Sequence, residues 1–173
     1  MRAAGVLGAL VGALLVQTLL AGLSLKAGGF VNLVLVAVVY VALGFGAVPG
    51  LLAGTAGGLA QDALSGGIVG IGGLSKTLVG FIVGVLGAQF IVSQVFPRFV
   101  MFVGASLLHD LVFRALYALA ESRPVTFPLS AELIQAVING TVGIVAFIVV
   151  EETPSFVDRR RTRRASLGRR RSY

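Results

Sequence analysis

The chain has 173 residues, of which 57% are apolar and 12% are charged, and its mean hydropathy is +0.98. Soluble domains carry about 25% charged residues, and a chain of this size leaves too much surface exposed to hide so many apolar side chains from water. The composition therefore excludes an ordinary soluble globule and predicts a membrane protein. Cysteine is absent and there is one histidine, which excludes disulfide frameworks, thiolate metal sites and Cys/His nucleophiles.

The formal net charge of +7 is concentrated at the C-terminal end. Residues 158–173 contain eight arginines and one acid, whereas residues 1–157 contain six bases and six acids. A neutral apolar body with a basic tail is typical of a membrane protein whose tail meets anionic headgroups on the cytoplasmic side. Aromatic residues do not interleave these arginines, so we expect no nucleic-acid partner. The arginines expected at the headgroups are Arg159, Arg160, Arg161, Arg163 and Arg164.

Apolar runs separated by short polar breaks predict an all-α bundle of six transmembrane helices. A hydrocarbon core about 30 Å thick needs about 20 apolar residues per helix. The expected spans, in chain order, are 3–23, 30–47, 50–64, 72–92, 99–120 and 129–150. Pro49 is expected to stop the second span, because proline biases the residue before it away from the helix. The chain thus divides into a transmembrane domain, 1–152, and an arginine-rich cytoplasmic tail, 153–173, that we expect to be disordered.

The distribution of Lys and Arg predicts that both termini lie on the cytoplasmic side of the membrane. With six spans, Arg2, Arg98 and the tail share one side, and only Lys26 and Arg123 lie in outside loops. A five-span arrangement would place Arg2 and the tail on opposite sides of the membrane. It would not increase the difference in positive charge between the loops of the two sides. The first apolar run exceeds the ~7 to 15 residues of a signal-peptide core, so we expect it to be retained as a span.

Small residues recur every four positions in the third and fourth spans. Helices in lipid associate by close packing, which favours such stripes. We expect helix packing along both stripes, at Gly50, Gly54 and Gly58 in one helix and at Gly80, Gly84 and Ala88 in the other.

Ionisable and amide side chains inside the spans predict one polar cluster beneath the outer face. Buried charges cost about 2.5 to 3.5 kcal/mol each, so they tend to face the bundle interior and pair. Asp110 and Arg114, at i and i+4, could neutralise each other. The cluster has two open interpretations, contact with a ligand or partner and simple attachment of helices; a proton relay through His109 is a third. Its expected members are Asp62, Lys76, His109, Asp110, Arg114, Glu132 and Asn139.

Sequence signatures of catalysis are missing. Ser65, Ser75 and Ser106 do not lie in a nucleophile elbow, and no phosphate-binding loop or dinucleotide fingerprint occurs in a strand-helix context. We expect a protein without enzymatic activity, cofactor or metal.

The segment from Gly54 through Gln61-Asp62 to Gly70, continuing to Phe81, resembles the rod-shape-determining membrane protein MreD family. The likeness includes a Gly-x-x-x-Asp span end, a glycine-containing turn, and a following helix of Leu and small residues. His109-Asp110 in the fifth span and Asn139-Gly140 in the last span also match. The long arginine tail departs from the family pattern.

The resemblance implies a non-enzymatic scaffold in the machinery that elongates the bacterial cell wall. Its partner would be the single-span protein MreC, and through it the MreB filament, the glycosyltransferase RodA and a penicillin-binding transpeptidase. The family fold is similar to the substrate-binding S component of energy-coupling factor vitamin transporters, which is the alternative function. A proton-coupled small transporter remains a third hypothesis.

Overall fold

The computed structural model describes the backbone of residues 2–22, 31–90, 94–121 and 128–169, with side chains from residue 5 to residue 150 within those ranges. These residues form six α-helices and no strand. The all-helical prediction is therefore confirmed. The helices are α1 (Arg2–Gly22), α2 (Leu33–Phe45), α3 (Ala47–Ser65), α4 (Ile71–Gln89), α5 (Val95–Glu121) and α6 (Leu129–Arg169).

Four of the described helices are long and apolar enough to cross a membrane, which indicates a membrane-embedded protein. These segments are Gly5–Gly22, Ile71–Gln89, Val95–Glu121 and Leu129–Val150. Helix α2 is apolar but has only 13 residues, which at a rise of 1.5 Å per residue gives about 20 Å, less than a hydrocarbon core.

The break between α2 and α3 lies at Gly46, so the predicted stop at Pro49 is wrong. Gly46 has a φ of +96°, a conformation that glycine adopts without steric cost. Pro49 instead lies in the first turn of α3. Proline is tolerated there because the first N–H groups of a helix have no intrahelical acceptor to lose.

Helix α5 also begins earlier than predicted, because proline is tolerated in the first turn of a helix. It starts at Val95, so Pro97 and Arg98 belong to its first turn and do not precede it. At the other end of the chain, the backbone of α6 is helical to Arg169, where we expected disorder from residue 153. The side chains of the tail arginines, Lys26 and Arg123 lie outside the described residues.

Helix α2 is the centre of the bundle and contacts each of the other five helices. Eight of its 13 residues are buried, and its apolar side chains point in all directions, as expected for a helix surrounded by others. Val36 and Val39 pack with Phe102 of α5 and Phe147 of α6 in the main core cluster. The opposite side of α2 packs against Leu10 of α1 and Ala53 of α3 in a second cluster.

Helices α3 and α4 form an antiparallel hairpin with very close backbone contact. A Cβ on Gly54 would lie 2.7 Å from the backbone nitrogen of Thr77, and a Cβ on Gly58 would lie 2.6 Å from the Cα of Gly73. Gly50 meets the backbone of Gly80 in the same way. The predicted stripe thus packs where expected along α3.

Along α4 the packing stripe ends at Gly84, one turn before the predicted last residue, Ala88. Gly84 contacts the backbone of Ala47, but Ala88 is exposed and takes no part in the hairpin. Thr55 and Thr77 add a hydroxyl–hydroxyl hydrogen bond of 2.8 Å between the two helices.

Candidate functional site

A polar cavity of about 480 Å³ opens at one end of the bundle. This is the end where α2, α4 and α6 begin and α3 and α5 finish. All four acids whose side chains the structure describes gather there: Asp62, Asp110 and Glu121 line the cavity, and Glu132 is paired with the lining residue Arg114. The cavity is therefore the principal candidate site within the described part of the chain.

Asp62, at the end of α3, holds the turn that leads into α4. Its Oδ2 atom accepts hydrogen bonds from the backbone N–H groups of Gly70, at 2.9 Å, and Gly73, at 3.0 Å. A Cβ on Gly72, in the first turn of α4, would lie 2.9 Å from the Asp62 carboxyl carbon, so a larger residue there would have to displace the Asp62 side chain. A carboxylate at a helix N-terminus is stabilised by unpaired N–H groups and by the helix dipole.

Lys76 is only 2% exposed, although it carries a charge. It lies on α4, lines the cavity, and interacts electrostatically with the carboxylates of Asp62 and Asp110. Its position is fixed by the hairpin, because its backbone carbonyl packs directly on Gly54. The glycine stripe of α3 thus places a base at the cavity wall.

Arg114 forms an ion pair with Glu132 of α6, a partner that the sequence spacing did not suggest. The side chain of Arg114 is 37% exposed and that of Glu132 is 8% exposed. Asp110 interacts electrostatically with Glu132, with Lys76 and with Arg114, the partner expected from the i, i+4 spacing. The charges therefore form a network across α4, α5 and α6.

Amide side chains connect the start of α2 to α5 and α6. The backbone N–H of Asn32 donates to Oδ1 of Asn139 at 2.9 Å, and the Asn139 amide donates to the hydroxyl of Ser106 at 3.2 Å. The Asn32 side chain caps α2 by accepting from the N–H of Leu35 at 3.1 Å. Its amide nitrogen faces Nε2 of His109 at 3.4 Å.

These contacts assign the proton on the His109 ring. Since Oδ1 of Asn32 accepts from a backbone N–H, its Nδ2 group must be the donor toward His109. Nε2 of His109 is then the acceptor, and Nδ1 of the neutral ring carries the hydrogen. His109 is 4% exposed, and this Nδ1 has no hydrogen-bond acceptor among the described residues.

Three acceptor oxygens in the same region also lack a donor within the described residues. They are Oε1 of Gln61, Oδ2 of Asp110 and Oε2 of Glu132. Buried polar atoms in folded proteins are nearly always hydrogen-bonded. These oxygens and Nδ1 of His109 are themselves buried atoms, so they lie beneath the accessible surface of the cavity.

An aromatic stripe on α5 forms another part of the wall. The rings of His109 and Phe113 have centroids 5.7 Å apart, and those of Phe113 and Tyr117 are 5.9 Å apart. The spacing of four residues keeps the three rings on one face of the helix, and all three residues line the cavity.

The predicted cluster is thus largely brought together. Asp62, Lys76, His109, Asp110 and Arg114 line the cavity. Glu132 and Asn139 join through the ion pair and hydrogen bonds given above.

Sequence reasoning missed Asn32, Gln61, Phe113 and Tyr117 as cavity residues. Asn32 had a detectable signal, since asparagine before an apolar run is a helix N-cap. Gln61 could have been found as the direct neighbour of Asp62 in the family-like segment. Phe113 and Tyr117 could have been found from the spacing of four residues that places them on one face of α5. Metal binding has no support in the described residues, where no group of three His, Cys, Asp or Glu side chains is placed to hold an ion.

A second concave surface, of about 640 Å³, is an apolar groove between α1 and α6 with α2 as its floor. Gly5, Ala9 and Gly12 line it from α1, and Ala146 lines it from α6. In the described chain α1 and α6 do not contact each other. Helix α1 consequently leaves most of its surface uncovered, with 6% of its apolar window buried.

Comparisons with models of protein families, with curated proteins and with solved structures find no match to this chain.

Proposed function

We propose that this protein is a non-enzymatic membrane scaffold of the bacterial cell-wall elongation machinery, similar to the MreD family. In this proposal it crosses the inner membrane six times, with both termini in the cytoplasm and the polar cavity facing outward. It would bind the single-span protein MreC and, through MreC, the MreB filament, RodA and a penicillin-binding transpeptidase. The arginine-rich tail would bind anionic lipids.

The observation that carries the proposal is the structural use of the family-like segment. Gly54 and Gly58 serve backbone contact with α4, and Asp62 is engaged by two backbone N–H groups of the turn. Residues with these tasks build and hold a hairpin, and their tasks are not those of a nucleophile or a general acid. A motif of this kind is expected of a protein whose role is to present a rigid surface.

The groove between α1 and α6 offers a docking place for one further membrane helix. Small residues allow close approach of helix backbones in lipid, and the wall on α1 consists of Gly5, Ala9 and Gly12 together with larger apolar residues. We propose that the single span of MreC occupies this groove.

The experiment is co-purification of the tagged full chain with MreC after mild detergent extraction. Gly12→Leu should fill the groove, because a Cβ on Gly12 meets no atom within 4 Å, and it should reduce recovery of MreC about tenfold or more. The matched control is Gly104→Leu, at an exposed glycine of α5 that also has no neighbour within 4 Å and lies outside the groove. Equal recovery with both variants would refute the docking site, and no recovery with the native chain would refute the scaffold proposal.

The polar cavity favours a second candidate function, the S component of an energy-coupling factor vitamin transporter. Its volume of about 480 Å³ lies within the range of small-molecule sites, and its wall combines aromatic rings with charged and amide side chains. An S component should gain thermal stability with a vitamin and co-purify with a transporter scaffold subunit. The rod-shape scaffold should do neither.

A further inference from the structure

The turn between α3 and α4, residues 66–70, has the sequence Gly-Gly-Ile-Val-Gly and contains no polar side chain. Turns that face water usually contain Asn, Asp, Ser or Pro beside Gly. Val69 is 63% exposed and Ile68 is 41% exposed, so a large part of each apolar side chain is left without contact to the described protein. Exposed apolar groups that lie together mark a contact with lipid or with another protein.

The turn has a fixed shape. Gly66 has a φ of +69° and Gly70 a φ of +109°, conformations that glycine adopts without steric cost. The N–H of Gly70 donates to the Asp62 carboxylate at 2.9 Å, and the N–H of Ile71 donates to the carbonyl of Ile68 at 3.4 Å. Ile68 and Val69 are therefore held at the tip of the hairpin, close to the first residue of α4.

The length of α4 fixes the depth of this tip in a membrane. The apolar segment Ile71–Gln89 has 19 residues, which at a rise of about 1.5 Å per residue gives about 28 Å, close to a hydrocarbon core about 30 Å thick. The headgroup layer on each side adds about 5–7 Å. Two residues of chain reach at most about 7 Å, so Val69 lies within the headgroup layer when α4 spans the core.

The exposed apolar surface continues from the turn onto α4. Leu74 and Leu78 follow on the helix with a spacing of four residues, and both are exposed, as expected of a helix that faces lipid. Along the chain, no polar residue separates Ile68 from Leu74. This continuity with a lipid-facing helix favours lipid over a second protein as the substance that covers the turn.

We propose that Ile68 and Val69 form an interfacial anchor, which inserts into the boundary of headgroups and acyl chains in the leaflet on the side of the polar cavity. Asp62, which binds the turn, and Ser65 both line this cavity, so the anchor also holds the cavity mouth level with the headgroups. The anchor requires only that α4 crosses a membrane. It involves neither MreC nor a vitamin, and failure of the proposed function would leave it unchanged.

The experiment places a single tryptophan at Val69, because the native chain has none. The full chain with Val69→Trp is reconstituted in phosphatidylcholine vesicles without any other protein. Lipids brominated near the headgroup end of their acyl chains should quench its fluorescence at least about twofold, since interfacial side chains lie about 5–10 Å into the boundary of headgroups and acyl chains. Acrylamide in the water should quench it much less.

The matched control is Ser65→Trp, four residues earlier. Ser65 is exposed and lines the polar cavity, so this tryptophan should be quenched by acrylamide and not by brominated lipids. The preference of tryptophan itself for the membrane interface acts on both variants and is removed by the comparison. If both respond alike, or if acrylamide quenches Val69→Trp the more strongly, the anchor is refuted; the second result is the one expected of a turn that awaits a protein partner.

A nitroxide label provides a second measurement that does not depend on tryptophan, because native cysteine is also absent. Spin-labelled Val69→Cys should collide more often with oxygen, which dissolves in lipid, than with a water-soluble nickel chelate. Spin-labelled Ser65→Cys should show the reverse order. A melting temperature equal to the native one shows that each chain is folded, and more frequent collision with nickel at Val69→Cys in a folded chain would overturn the proposal.

Discussion

The hairpin of α3 and α4 makes a sharp prediction for Gly58→Ala. The added Cβ would lie 2.6 Å from the Cα of Gly73 and 2.8 Å from the carbonyl oxygen of Gly72. Ordinary Cβ contacts begin at 3.4 Å, and both neighbours are backbone atoms that cannot rotate away. The two helices must therefore separate by nearly an ångström at this point.

Separation has two costs. Overpacking of a tight contact costs about 1–3 kcal/mol. The movement also stretches the hydrogen bond of 3.0 Å from the N–H of Gly73 to Asp62, and a hydrogen bond to a charged group is worth about 1.5–3 kcal/mol. Since alanine gains up to about 1 kcal/mol over glycine in a helix, we expect a net loss of about 3 kcal/mol, or roughly 6–12 °C in melting temperature.

The assay is thermal unfolding of the full chain in one detergent, followed by circular dichroism. Gly104→Ala on α5 is the control, because Gly104 is exposed and a Cβ there meets nothing within 4 Å. That variant should melt at or slightly above the native temperature. If Gly58→Ala were as stable as Gly104→Ala, the close approach of the two helices would be refuted.

Three further predictions concern the charges and the topology. Asp62→Ala should lower the melting temperature more than Asp62→Asn, because asparagine keeps one acceptor oxygen for the N–H groups of Gly70 and Gly73; equal effects would contradict the capping role. Arg114→Gln should destabilise more than Glu132→Gln, because the Glu132 side chain left behind is 8% exposed, whereas that of Arg114 is 37% exposed and can be hydrated; the reverse order in thermal unfolding would contradict this. Since native cysteine is absent, Ser65→Cys should react with an impermeant maleimide on intact spheroplasts and Ser166→Cys only after permeabilisation; labelling of both from outside would exclude the proposed topology.

The clustering of the polar residues could be predicted because it depends on topology. In an antiparallel bundle, Asp62 at the end of α3 and Lys76 near the start of α4 must lie at the same end. Counting along α5 brings Asp110 and Arg114 to that end as well. Alternating helix direction fixes the depth of each residue once the spans are correct.

Partner choice within the cluster depends on helix rotation, which sequence spacing does not determine. The i, i+4 spacing made Asp110 a natural partner for Arg114, and the two groups interact electrostatically, but the spacing did not indicate the ion pair of Arg114 with Glu132 of the neighbouring helix. The Pro49 prediction failed because proline disrupts a helix only where an internal N–H is needed. There the conformation of Gly46 decided the boundary.

The start of α2 physically connects the two candidate surfaces. The Gln17 side chain of α1 accepts from the N–H of Leu33 at 2.8 Å and donates to the carbonyl of Val31 at 2.9 Å, while Asn32 bonds Asn139 of α6. Helices α1 and α6, which flank the apolar groove, are thus both attached to the segment that also reaches His109 in the cavity wall. Because hydrogen bonds of partly buried groups are costly to leave unmade, the polar end of the bundle helps to fix the spacing of the two groove walls. A partner helix in the groove and a ligand in the cavity would therefore act on the same few residues at the start of α2.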